Sequence, residues 1–169
     1  MMDQRNYTLR PLKPEDASRM VEMMHDAQTT QYLQIGGSGY TLDTALGFIA
    51  STADESENLH RAVVDEQDVY QGSVSLKHID RDKGEAEYAI SMHPEAQGKG
   101  AAKAASAAIV ELAFRQLGLK RVYLNVLAEN ERANRFYQKF GFCFTHSSRM
   151  DFKGEEKTLN WYEQRREEP

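Results

Sequence analysis

From Tyr7 to Leu12 apolar and polar residues alternate, the signature of a strand with one buried face. Pro14, Glu15 and Asp16 then open a helix, since proline fits a first turn and acids there face the positive end of the helix dipole. That helix is predicted to run to about Ala27. Gln34 to Tyr40, with Gly36, Gly37 and Gly39, reads as a flexible loop. Thr41 is an N-cap for a second helix carrying Leu42, Ala45, Leu46, Phe48 and Ile49. Three strands follow, His60 to Val64, Tyr70 to Ile79 and Glu85 to His93, the last two joined by the polar turn Asp80 to Gly84. Gly98 to Leu117 has a helical stripe of Ala105, Ile109, Leu112, Ala113 and Gln116, and Gly118 terminates it. Arg121 to Leu127 is a strand. Glu131 to Phe140 is a short helix with Ala133, Phe136, Tyr137 and Phe140 on one face, ended by Gly141. Phe142 to His146 and Lys157 to Tyr162 are two closing strands around the turn Phe152-Lys153-Gly154. The predicted order is β-α-α-β-β-β-α-β-α-β-β, a single α/β domain built on a mixed sheet.

A chain of 169 residues, with 40% hydrophobic and 28% charged residues, buries a working core as one domain. No apolar run approaches the roughly 20 residues of a membrane span, and the longest, Ala101 to Phe114, is interrupted by Lys103 and Glu111. No membrane association is therefore expected. The first residues lack an apolar signal core, so export is not expected. Cys143 is the only cysteine, which fits a reducing cytoplasm, and it reads as a small buried hydrophobe in a strand. The net charge of -5 disfavours nucleic acid and suits a cationic acceptor. Charges of both signs crowd Glu163 to Glu168, so a domain of residues 1–162 with a charged tail over 163–169 is expected.

The stretch Gln97-Gly98-Lys99-Gly100-Ala101-Ala102 follows a strand and opens a helix. Helix N-termini present unpaired backbone N–H groups and partial positive charge, which together hold phosphate. Glycine at 98 and 100 lets the backbone approach an anion, and the small Ala101 and Ala102 keep the first turn open. A Walker loop is ruled out because Gly100, not serine or threonine, follows Lys99. A dinucleotide fingerprint is ruled out because its third glycine is missing.

With Gln97, Gly100 and Ala102 at a strand–helix junction, the chain resembles the GNAT N-acetyltransferases, whose signature there is Gln/Arg-x-x-Gly-x-Gly/Ala. A second signature of that family, Asn-x-x-Ala-x-x-x-Tyr-x-x-x-Gly-Phe, is matched by Asn130, Ala133, Tyr137, Gly141 and Phe142. The likeness spans roughly Val69 to Phe142. Within the family the texture is most similar to the branch that acetylates ribosomal-protein N-termini, polyamines or amino sugars.

The resemblance implies a GNAT fold of about seven strands and about four helices. It implies acetyl-CoA as co-substrate, no metal, and direct attack on the thioester by a primary amine of a small molecule or protein N-terminus. A homodimer is compatible with it. Ile90, Ser91 and Met92 match the strand edge that pairs with the pantetheine arm, and Met92 N–H is a candidate for the oxyanion. Gly98, Lys99, Gly100, Ala101, Ala102 and Lys103 match the pyrophosphate cradle, and Asn130 matches a residue that bonds the cofactor near its arm. Tyr137 matches the acid that protonates the departing thiolate. Arg132, Arg135 and Lys139 are further candidates for the outer phosphates. Some members carry a base at the position held here by Asn125, which cannot accept a proton. Glu87 and His93, at the two ends of one strand, are the candidates in its place.

Gln31 to Tyr40 and His146 to Trp161 are expected to line the acceptor groove, with Tyr32, Tyr40, Phe152 and Trp161 as an aromatic wall. Glu22, Asp26 and Glu87 are candidates to attract an ammonium group. The competing reading is a non-catalytic module that binds or senses acyl-CoA.

Overall fold

The computed structural model describes residues 6–34 and 36–167. It contains strand β1 (Thr8–Arg10), a 3-10 turn (Pro14–Asp16), helices α1 (Ala17–His25), α2 (Ala27–Thr30) and α3 (Leu42–Ser51), and strands β2 (Leu59–Val64), β3 (Tyr70–Asp80) and β4 (Glu85–Met92). Helix α4 (Ala101–Glu111), strand β5 (Arg121–Leu127), helix α5 (Glu131–Phe140) and strands β6 (Cys143–Phe152) and β7 (Glu155–Arg165) complete it. The sheet order is β1-β2-β3-β4-β5-β7-β6. Among the described residues only β4 and β5 run parallel, and α4 is their crossover.

Alternation along the strands divides the core between the two faces of the sheet. On one face Val63, Val74, Leu76, Val122 and Leu124 pack with Ile109 of α4. On the other, Ala62, Val64 and Tyr70 meet Met20 and Met23 of α1 and Ala45 and Ile49 of α3. Moving one residue along β2 from Val63 changes the face, as the two-residue period of a strand requires.

Several elements differ from their expected form. The first helix starts with a 3-10 turn, and after it the chain breaks at Asp26, which caps the extra one-turn helix α2 by accepting from Thr29 N–H. Helix α4 begins at Ala101 rather than Gly98, because Gly98 and Gly100 adopt left-handed φ values of 77° and 83° that no regular helix accommodates. Its last turn widens to a π turn over Leu112–Gln116, with Leu117 N–H donating to Leu112 O at 3.1 Å. The widened turn moves the stripe off phase: Ala105, Ile109 and Ala113 are buried, while Gln116 is exposed.

The closing hairpin is longer than expected. Lys153 and Gly154 both have positive φ, 53° and 86°, and link Phe152 directly to Glu155, the geometry of a two-residue type I′ turn. Strand β7 extends to Arg165, three residues past the expected end of the domain. Residues 163–165 therefore belong to the sheet, where Glu163 accepts from Arg121 Nε at 2.6 Å. Residues 168–169 of the expected tail lie outside the described residues. Cys143 lies in a strand as expected but is exposed. It starts the outermost strand, β6, most of whose side chains face solvent.

Candidate active site

Strands β4 and β5 pair at Glu85↔Arg121, Ala86↔Val122 and Glu87↔Tyr123, and then part. Beyond that point β4 keeps its other neighbour, with Ile90, Ser91 and Met92 opposite Val74, Ser73 and Gly72 of β3. His93 N–H donates to Gln71 O at 2.8 Å, so odd-numbered residues of β4 direct their amides toward β3. By strand alternation the amides and carbonyls of Ile90 and Met92 face the split. Gly72 is required beside it: a Cβ there would stand 2.5 Å from Ser91 O.

A cleft of about 970 Å³ fills the split and continues to the start of α4. Gly100 is the N-cap of α4 and supplies no capping side chain. The first intrahelical bond is Ala104 N–H to Gly100 O at 3.1 Å, which leaves the amides of Ala101, Ala102 and Lys103 without helical partners. A Cβ built on Gly98 or Gly100 meets nothing within 4 Å. These glycines are needed for their left-handed backbone, and the space over the helix start is open to a ligand. Gln97, Gly98 and Gly100 to Lys103 all line the cleft, but Lys99 lies in a separate cavity of about 390 Å³ with Arg19 and Glu95.

Helix α5 closes the opposite wall. Asn130 is its N-cap: Oδ1 accepts from Ala133 N–H at 3.3 Å, and the residue lines the cleft. Two turns on, Tyr137 also lines it. Its ring meets those of Tyr88 and Phe142 edge-on, at centroid distances of 5.8 and 5.9 Å. Burial pushes the Tyr137 hydroxyl up to about 12, with Tyr88 pulling it partly back. The group therefore stays protonated throughout the neutral range. Arg132 reaches across the cleft mouth to Gln97 Oε1 at 3.3 Å, and Arg135 also lines the cleft, whereas Lys139 does not.

Glu87 sits at the last paired position, lines the cleft, and lies 3.5 Å from Lys77 Nζ. His93 is elsewhere engaged. It is 3% exposed, its Nδ1 accepts from Glu95 N–H at 3.1 Å, and its Nε2 bonds Glu22 Oε2 at 2.9 Å. With both nitrogens used it anchors the turn after β4, and Glu22 is occupied as its partner. Asp26 likewise caps α2. Of the expected aromatic wall, Tyr32 and Phe152 line the cleft. Tyr40 packs against the α1–α3 core, and Trp161 stacks on His146 at 5.5 Å, outside the cleft.

Tyr88 and Asn134 do not stand out as site residues in the sequence. Tyr88 is buried, lines the cleft and bonds Ser106 Oγ at 2.6 Å. Asn134 is the only buried residue of α5. Its one visible sign in the sequence is an amide beside the Ala133–Tyr137 stripe.

The family profile described as "Acetyltransferase (GNAT) domain" matches residues 6–143. The spermidine N(1)-acetyltransferase of Escherichia coli (strain K12) is 32% identical over 134 residues, which cover 79% of this chain and 71% of that protein. The spermine/spermidine N(1)-acetyltransferase of Bacillus subtilis (strain 168) is 39% identical over 59 residues, 35% of this chain and 38% of that one. Among solved structures, spermidine N-acetyltransferase from Vibrio cholerae in complex with CoA and spermine superposes with a TM-score of 0.84 at 24% identity, covering 94% and 95% of the two chains. A parted parallel strand pair beside an uncapped helix start is the architecture of an acyl-CoA acyltransferase, and the chain belongs to the GNAT acetyltransferase family. It is an acetyl-CoA-dependent N-acetyltransferase acting on an amine, rather than a module that only binds acyl-CoA. Among the described residues, no helix is long and apolar enough to cross a membrane.

Proposed function

We propose that this acetyltransferase acts on an aliphatic primary amine of a small molecule of the polyamine class, with Tyr137 as acid and Glu87 as proton acceptor. The observation that carries the reading is the split between β4 and β5, with Tyr137 on one side and Glu87 at its closed end. Acetyl-CoA supplies an acyl group activated as a thioester, and CoA leaves as a thiol.

The unpartnered amides of Ala101 to Lys103 suit its diphosphate, with Lys103, Arg132 and Arg135 adding positive charge at the same cleft. Ile90 and Met92 offer strand-edge groups to the amide-bearing arm, and Met92 N–H serves as the donor to the carbonyl oxygen as it gains charge. Asn130 adds a side-chain amide beside the arm. The carbon–nitrogen bond forms as the carbon–sulfur bond breaks. The amine proton passes to Glu87, directly or through water, and Tyr137 gives its proton to sulfur. The ammonium of Lys77 beside Glu87 disfavours a second cation there, so it favours the neutral, attacking form of the amine.

The acceptor class rests on three supports. The relatives named above are polyamine acetyltransferases. Glu129 and Glu131 bring carboxylates to the cleft, and the neutral side chains of Gln28, Gln31 and Gln34 line it without adding positive charge. The net charge of -5 favours a cationic substrate. A reducing compartment such as the cytoplasm suits the exposed thiol of Cys143. Thiol release from acetyl-CoA with spermidine, spermine, a monoamine and a peptide with a free N-terminus tests the assignment. Turnover led by the two polyamines is expected. Preference for the peptide would overturn it.

A further inference from the structure

Helix α5 presents Ala133, Tyr137 and Phe140 to the core, yet the residue it buries most deeply is an amide. Asn134 uses its whole hydrogen-bonding capacity. Its Nδ2 donates to Leu127 O at 3.0 Å and to Asn130 O at 2.7 Å. Its Oδ1 accepts from Tyr162 hydroxyl at 2.8 Å and from Asn160 Nδ2 at 3.0 Å. Two donors and two acceptor sites are all that a primary amide has. The surrounding groups also fix its orientation, because Tyr162 in turn accepts from Gln138 Nε2 at 3.0 Å and Asn160 Oδ1 accepts from Ser147 at 2.9 Å.

The places it joins matter more than the number of bonds. Leu127 is the last residue of β5, on the strand that has just diverged from β4. Asn130 is the cap of α5 and faces the cleft. Tyr162 and Asn160 belong to β7, which holds β5 from its other side. One amide thus ties the open end of β5, the turn after it and the start of α5 to the next strand. Tyr137 lies one turn further along the same helix.

We infer that Asn134 is a positioning residue: through its two donor bonds it holds the far wall of the split at the spacing acetyl-CoA requires, and with it Asn130 and Tyr137. The inference rests on the roles given to Asn130 and Tyr137 above. It explains why a helix that could bury an apolar residue here carries an asparagine. A buried amide with every partner satisfied permits one arrangement of its neighbours, where an apolar contact permits several.

Asn134→Asp keeps the acceptor side and removes the donors, Asn134→Leu removes both, and Tyr162→Phe takes one bond from the acceptor side of Asn134, together with the Gln138 bond to the same hydroxyl, and leaves both donor bonds in place. For both Asn134 variants the KM for acetyl-CoA is expected to rise about tenfold to a hundredfold and kcat to fall, with the KM for the amine unchanged. Tyr162→Phe is expected to lower the melting temperature and leave both KM values near their starting point. An unchanged acetyl-CoA KM in folded Asn134→Asp, or an equal rise in Tyr162→Phe, would overturn the inference. Hydrogen exchange on the unaltered protein gives a second test that no misfolded variant can spoil. The amides of Ala128, Asn130 and Asn134, bonded to Thr158, Leu127 and Asn130 carbonyls, are expected to be protected before any ligand is added. Protection gained only on adding CoA would show that the ligand, not Asn134, sets the wall. Asn130→Ala and Tyr137→Phe serve as reference variants: if both turn over normally, the roles given to those residues fail, independently of Asn134.

Discussion

Glu87 and Tyr123 are the last residues to face each other across β4 and β5 before the two strands part. A carboxylate at the apex of the split sits where the reacting amine must arrive, with Lys77 as its one ionic partner among the described residues. Glu87→Gln keeps the shape and removes the proton acceptor. Its kcat/KM for the amine is expected to fall about a hundredfold at neutral pH and to recover partly as pH rises and more amine is already neutral. Steady-state rates from pH 6.5 to 9.5 check this. A flat, undiminished profile would move the base elsewhere.

Tyr137→Phe removes one hydroxyl from a packed aromatic cluster. A kcat loss of about a hundredfold or more is expected, with acetyl-CoA binding within about twofold, since the ring contacts remain. Titration calorimetry with CoA, alongside single-turnover rates, separates the two effects. Because burial pushes this hydroxyl up to about 12, no alkaline fall in the unaltered enzyme's kcat is expected near pH 10.

The same burial acts on stability. Tyr70, Tyr88 and Tyr137 are all held above 10 in the folded chain by desolvation. Above pH 10 the unfolded chain loses these protons first, so unfolding becomes favoured. Each tyrosine adds a slope approaching about 1.4 kcal/mol per pH unit once it is ionised only in the unfolded state. Chemical denaturation at pH 9, 10 and 11 is expected to show stability falling over the last step, and less steeply in Tyr137→Phe.

His60 should act at the acid end. It is half-buried, its Nδ1 lies 2.6 Å from Ser75 Oγ, and desolvation holds it below 6.5. A depressed value means that the unfolded chain takes up the proton first as pH falls. The contribution is present above 6.5 and is lost below it. The melting temperature is expected to drop between pH 6.5 and 5, with a smaller drop in His60→Gln.

Gly100→Ala tests the helix start. A Cβ there meets no atom, so any effect comes from the left-handed backbone, which costs alanine roughly 1–2 kcal/mol. Relaxation of that strain would turn the free amides away from the cleft. CoA affinity is expected to fall about tenfold, measured by calorimetry, while the amine KM stays unchanged.

The sequence disclosed most where chemistry demands a particular residue. Gly98, Gly100, Asn130 and Tyr137 stood out, and all four meet at one cleft. The helix α3 and its Thr41 cap, and the strand β5, lie where periodicity put them. The full length of the closing hairpin is not legible in the sequence, because its exposed side chains carry little alternation and its pairing is a matter of backbone bonds. His93 stood out as a base but has both nitrogens committed, a fact that depends on Glu22, distant in the chain. Lys99, inside the signature, points to another cavity because only the main chain of that loop is constrained by the turn. Asn134 is silent in the sequence because three of its four partners, Leu127, Asn160 and Tyr162, come from β5 and β7, which no local pattern brings together.

The outer edge of β6 has a consequence for how copies of the chain meet. A last strand with a bare row of peptide groups invites another chain to continue the sheet. Here the register shifts between Phe144 and His146, and further along Arg149 and Asp151 stand on the same strand. The shifted register and the charges work against the flat template that such ribbon-like growth needs.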